Sequence, residues 1–258
     1  MMTGRGEFIE VRFERFDVEV CGVRLGLGRP IRKHDSAATQ SLDSWVLAPV
    51  ASNETAEQAV AASSALRISG DLPPKQALAV PRLALALWVW DVVHLELGEV
   101  ALFTSGSPLE RYINQVALWR SGRAVMRLDF GDSVGHPPPD VIAVDGSDPQ
   151  QAIASVHAAC SAAPGFAAVV LSEKSAALDV VLEAAPNWGR IVFAAATAES
   201  ATVDFYTNVH RKGIHMLAGP ASIGTIVEQH EQPAIRGYLD RAVRLMMSDV
   251  VPESLLER

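Results

Sequence analysis

Val100-Ala-Leu-Phe-Thr-Ser-Gly-Ser-Pro-Leu-Glu110 is the stretch on which the fold turns. Val100–Thr104 is a short β-prone apolar run, Ser105–Pro108 a turn, and Leu109–Trp119 carries helical spacing. Ser105 or Ser107 suits a helix N-cap, and Pro108 suits a first helical turn. The next apolar run, Ala124–Leu128, ends at Asp129, 24 residues after Ser105. A strand-turn-helix followed at about this distance by an acid is the arrangement that holds a dinucleotide, with diphosphate at the turn and ribose hydroxyls on the acid. The candidate cofactor residues are therefore Ser105, Gly106, Ser107, Pro108, Leu109 and Asp129.

Downstream the alternation continues. Val141–Val144, Phe166–Leu171, Arg190–Ala194 and Gly213–Leu217 read as strands. Asp148 caps a helix through Ala163, Lys174–Ala185 is a second, and Ile235–Met247 is a final amphipathic one. This order predicts an α/β protein with a Rossmann-like, doubly wound parallel sheet. Upstream, Val11, Phe13, Phe16, Val18 and Val20 alternate with charged residues as a half-buried strand does. Gly22, Gly26, Gly28 and Pro30 then read as a turn-rich segment, and Ser44–Val50 as another strand. Asp71-Leu-Pro-Pro74 is a linker signal before a buried helix, Gln76–His94. The expected division is a small, abbreviated β-rich region over 1–75, a linking helix over 76–98 and the Rossmann-like domain over 99–258.

The chain has 258 residues, 49% hydrophobic and 20% charged, with a net charge of −8. No long basic run is present, which argues against nucleic acid and anionic membranes as partners. Leu83–Val93 is too short for a membrane span and contains Asp91, and Met1–Glu10 has no secretory h-region. Cys21 and Cys160 cannot build a disulfide framework or a four-Cys metal lobe. A soluble, cytoplasmic protein acting on a small molecule is expected.

From about Leu72 onward the chain resembles the medium-chain dehydrogenase/reductase superfamily, the zinc alcohol dehydrogenases and their zinc-free relatives. The resemblance lies in Gly98-Glu-Val100, the Ser105–Glu110 turn, Asp129, Asn187-Trp-Gly-Arg-Ile-Val-Phe193, and Val209-His-Arg-Lys-Gly-Ile-His-Met-Leu-Ala-Gly219. It implies a GroES-like N-terminal domain, here shortened, and NAD(P)(H) chemistry. It also implies a homodimer joined through the Gly213–Leu217 strand.

Several residues depart from the family pattern. Its three glycines fall on Ser105, Ser107 and Glu110. A side chain at 107 sits where backbone should approach the diphosphate, and a carboxylate at 110 opposes it. Weak NAD(H) binding follows, with Asp129 favouring NAD(H) over NADP(H) and replacement of Glu110 by glycine expected to tighten binding. Gly131–Asp140, with three consecutive prolines, is too short for the usual helix. In the family's zinc site a Cys, a His and a third ligand act together. Cys21 and His34 lie close in sequence, and the third-ligand region reads Ala79-Val-Pro81, so no zinc is expected.

Tyr112, Tyr206, His94, His210 and His215 are candidate proton carriers, although Tyr112 has the spacing of a core residue and His210-Arg-Lys212 reads as a solvated loop. No nucleophile elbow or paired-carboxylate site is present, and the catalytic residues stay unassigned. Two functions remain open: a zinc-independent oxidoreductase using NAD(P)(H) on a small carbonyl, alcohol or enoyl substrate, and a non-redox descendant with a reassigned pocket.

Overall fold

A computed structural model describes residues 8–16, 25–33, 44–50, 57–61, 63, 65–105, 107, 109–121, 125–131, 140–194, 200–219, 226–227, 229–248 and 250–256. Cys21, His34, Gly106, Pro108 and the prolines 137–139 lie outside the described residues, as do the readings that depend on them.

The chain divides into two compact units, Met1–Leu85 with Ser222–Arg258, and Ala86–Ala221. The sequence-based division 1–75, 76–98 and 99–258 cuts the chain elsewhere. The boundary falls within helix α1 (Pro74–Val92), and the C-terminal stretch groups with the first unit.

The first unit contains a five-stranded antiparallel sheet in the order β4-β1-β2-β3-β5. Its strands are β1 (Phe8–Phe16), β2 (Leu25–Lys33), β3 (Trp45–Pro49), β4 (Glu57–Ala61) and β5 (Leu66–Ile68). Val11, Phe13, Val46, Ala48, Val50, Val60 and Ala65 form its buried cluster. β2 corrects the turn-rich reading of Gly26–Pro30. Its glycines permit close approach, since a Cβ on Gly28 would lie 2.3 Å from the Arg12 carbonyl oxygen and one on Gly26 would lie 2.5 Å from the Phe13 ring. Pro30 pairs with Val11 where the β1–β2 register shifts, the kind of irregularity that admits a proline inside a sheet.

The second unit is built on a six-stranded, all-parallel sheet in the order β11-β10-β9-β6-β7-β8. The strands are β6 (Val100–Thr104), β7 (Val125–Asp129), β8 (Val141–Asp145), β9 (Phe166–Val170), β10 (Arg190–Phe193) and β11 (His215–Ala218). Helices α2 (Glu110–Ser121), α3 (Pro149–Cys160) and α4 (Ser175–Ala184) alternate with them. A last helix, α5 (Pro233–Met246), belongs to the first unit. β6 and β9 are buried along their whole length, as central strands covered on both faces should be. Asp148 caps α3 as its sequence suggests, its side chain accepting a bond from the Gln151 amide.

The ends of β6 and β10 are tied together by the Glu99–Arg190 ion pair, and Glu99 is buried. Gly98 takes a φ of +87° and donates its amide to the Ser121 carbonyl, setting the lead-in to β6. The solvated-loop reading of His210-Arg-Lys212 needs correction at Lys212. Its Nζ donates to the carbonyls of Leu182, Glu183 and Ala185 and so caps the end of α4. Partial burial lowers the pKa of that amine. The segment before it, Phe205–His210, is a π-helix with no buried residue.

Candidate functional site

β6, β7 and β8 follow one another across one half of the parallel sheet, and the chain then returns to place β9 on the other side of β6. The order therefore reverses at the carboxyl end of β6. Ligands of open α/β sheets bind at such a reversal, and the Ser105–Leu109 turn and Asp129 lie at that edge.

Thr104 ends β6 fully buried, and its Oγ1 accepts 2.8 Å bonds from the amides of both Leu171 and Ser172. This fixes the turn after β9 against β6. Ser105 is 1% exposed, and its hydroxyl is committed internally. Oγ accepts from the Phe130 amide at 3.2 Å and donates to Asp129 Oδ1 at 3.4 Å. Its role is to join the ends of β6 and β7.

Ser107 caps α2. Its Oγ accepts from the Leu109 amide at 3.2 Å, and its carbonyl accepts from the Glu110 amide at 2.9 Å. These amides are the donors a helix N-terminus offers to an anion. A bound diphosphate would have to displace the Ser107 hydroxyl from one of them.

Glu110 does not present an unbalanced charge at the mouth of the turn, as the sequence suggests it should. Arg127, in the middle of β7, places Nη1 2.8 Å from Glu110 Oε1 and Nη2 3.0 Å from Asp129 Oδ2. The Arg127 side chain is only 4% exposed, against 13% for Glu110 and 29% for Asp129. One guanidinium thus neutralises Glu110 and orients Asp129. Asp129 Oδ1 also accepts from the Gly131 amide at 2.9 Å. Asp145 stands opposite Asp129 in the β7–β8 register. Bonds from the Ser147 hydroxyl and amide hold the Asp145 carboxyl below its ordinary pKa.

Sequence reasoning missed Arg127 and Thr104. The first left a signal: a lone arginine inside the apolar run Val125-Met-Arg-Leu-Asp129, two residues before an acid and so on the same strand face. Tyr112 is 1% exposed, in keeping with its core spacing. Tyr206, His210 and His215 lie together at the opposite, amino edge of the sheet, beside Trp188. Ala79, Val80 and Pro81 lie inside α1, and all three are buried. Among the described residues, no helix is long and apolar enough to cross a membrane.

A nicotinamide dinucleotide fits the adenosine end of this edge. Asp129 is partly exposed, is oriented by Arg127, and sits beside a turn where the Glu110 carboxylate is neutralised. At the turn itself the fit is poorer, because Ser107 competes for an amide.

No protein-family profile and no curated protein matches the chain by sequence. Many solved structures share its fold. Galactitol-1-phosphate dehydrogenase from Escherichia coli aligns with a TM-score of 0.73 at 8% identity, over 98% of this chain and 85% of that one. A mycobacterial protein complexed with NADPH gives 0.71 at 13% identity, over 97% and 83%. An alcohol dehydrogenase from Thermus sp. ATN1 gives 0.70 at 13% identity, over 97% and 84%. The chain therefore shares the fold of these dehydrogenase structures.

Proposed function

We propose that the protein is an oxidoreductase of the medium-chain dehydrogenase/reductase type. It works without zinc and transfers hydride between NAD(H) and a small carbonyl, alcohol or enoyl compound. The observation that carries this reading is Asp129 at the carboxyl end of β7, held by Arg127 beside the Ser105–Leu109 turn, in a fold shared with dehydrogenases. Asp129 would accept bonds from the adenosine ribose hydroxyls. The turn, with Gly106, Pro108 and the α2 amides, would face the diphosphate. The nicotinamide supplies the redox chemistry, and the protein contributes binding and orientation. Zinc independence rests on the short interval from Cys21 to His34 and the apolar third-ligand region. A cytoplasmic homodimer paired along the β11 edge completes the reading.

Titration with NADH followed by nicotinamide fluorescence, with elemental analysis of the same preparation, tests it. Binding at micromolar to submillimolar concentration without stoichiometric zinc supports the proposal. Failure of both NADH and NADPH to bind at millimolar concentration rejects it. The second reading, a non-redox descendant, draws on the Ser107 hydroxyl occupying the Leu109 amide. It predicts that outcome.

A further inference from the structure

A cavity of about 310 Å³ opens at the amino edge of the parallel sheet, opposite the Ser105–Leu109 turn. Glu99 leads into β6, Gly165 and Phe166 open β9, and Arg190 opens β10, all within one unit. β9 lies between β6 and β10, so the Glu99–Arg190 ion pair reaches across its first residues. Gly165 makes that crossing possible, because a Cβ there would collide with Glu99 Oε1. The Glu99 side chain is only 7% exposed, and its two oxygens are used unequally. Oε2 accepts from the Glu96 amide at 2.9 Å and from Arg190 Nη2, whereas Oε1 has no donor among the described residues. Arg190 Nε is likewise buried without a partner among them. A largely buried carboxylate oxygen costs stability until a donor reaches it, which a purely structural ion pair would have no reason to retain.

We propose that this cavity binds a small neutral molecule carrying an amide, lactam or urea group on a flat ring. The site is separate from the dinucleotide crevice and does not depend on it. The charge of the lining selects the class of ligand. Glu99 and Arg190 cancel, and Cys160, the remaining titratable group of the lining, is a neutral thiol because burial raises its pKa to about 11. An ammonium ligand reaching Glu99 Oε1 would stand beside the Arg190 guanidinium, and a carboxylate reaching Arg190 would stand beside Glu99. A neutral amide avoids both repulsions. Its N–H donates to Oε1 while its carbonyl accepts from the Arg190 guanidinium or the Asn187 side chain. Pro164, Phe166, Pro186 and Trp188 supply apolar walls for the ring. The volume is at the lower end for small-molecule sites, which suits a monocyclic or bicyclic occupant.

Benzamide, benzoate and benzylammonium share a ring and differ chiefly in charge, so they separate the classes. Their binding to the whole chain, followed by ligand-detected NMR with and without NADH, tests the proposal. We expect benzamide to bind at millimolar concentration and both charged probes to bind about tenfold more weakly or worse. Bound benzamide should also slow iodoacetamide modification of Cys160 in a Cys21→Ser background, because Cys160 lines the cavity. Glu99→Gln keeps the shape but, with its oxygen turned to Arg190, presents an N–H where the ligand needs an acceptor. Benzamide should then bind about tenfold more weakly. Ala163→Trp, a loop position on the lining, fills the cavity if the glutamine variant does not fold, and should abolish binding. Failure of benzamide to bind, equal or tighter binding of either charged probe, or unchanged benzamide binding in these variants overturns the proposal. Displacement of benzamide by NADH would put the probe in the dinucleotide crevice and overturn it as well.

Discussion

Arg127 and Glu110 form a 2.8 Å ion pair between the middle of β7 and the first turn of α2, with both side chains largely withdrawn from water. Removing one partner of a buried pair strands the other charge, and that penalty reaches about 3–5 kcal/mol when burial is complete. Here Arg127 keeps Asp129 as a partner. Glu110→Gly is therefore expected to lose about 2 kcal/mol in chemical denaturation and to leave NADH affinity unchanged or weaker. Tighter NADH binding by this variant would show that the Glu110 carboxylate still repels the ligand despite its pairing.

Ser107→Gly has the opposite expectation. The glycine frees the Leu109 amide and opens the approach to the turn, while a glycine N-cap costs only a few tenths of a kcal/mol. NADH binding should tighten roughly three- to tenfold, about 0.6–1.4 kcal/mol, with little change in melting temperature. Equal affinity in variant and wild type would mean that the Ser107 hydroxyl does not compete with the diphosphate.

Cys160 is half-buried on α3, and burial raises its pKa to about 11. At pH 8 only roughly one thiol in a thousand is then ionised, and the thiolate is the reactive form. In a Cys21→Ser background, iodoacetamide should modify Cys160 slowly at pH 8 and faster in proportion to hydroxide up to about pH 11. Rapid modification at pH 7 would place this thiol in a different environment.

Trp188 has a φ of +65° and is 75% exposed. A bulky residue in the left-handed region is strained, typically by 1 kcal/mol or more. Its indole lies against Gly213, where an added Cβ would come within 2.7 Å of the ring. Exposed Phe205 and Tyr206 line the same concavity beside the start of β11. Strain and exposure together suit a self-association surface better than a monomer's stability. Trp188→Gly should shift the sedimenting species from dimer toward monomer at tens of micromolar, without lowering the thermal stability of the monomer by more than about 1 kcal/mol. A monomeric wild type at that concentration would refute the dimer.

The parallel sheet was readable because its strands are apolar runs punctuated by turns. Val100–Thr104 emerges with the same bounds from sequence and structure, and other strands differ by a residue or two at their ends. β2 was not readable, because Gly26, Gly28 and Pro30 are turn formers in isolation. They become strand residues only against Phe13 and Arg12 of the neighbouring strand. The position of the turn and of Asp129 was legible as well. The neutralisation of Glu110 was not, since it joins residues 17 apart through a register that only the packed sheet creates.

Because the first unit takes residues from both sides of the second in sequence, synthesis and folding must run out of step. The unit Ala86–Ala221 has its whole sheet once Ala218 has left the ribosome, whereas the unit begun at Met1 still lacks Ser222–Arg258, including α5. During that interval the residues before Ala86 wait for those after Ala221. A premature stop after Ala221 should therefore leave a cooperatively folding α/β core and expose the N-terminal sheet to proteolysis, so that damage at one end of the chain appears at the other.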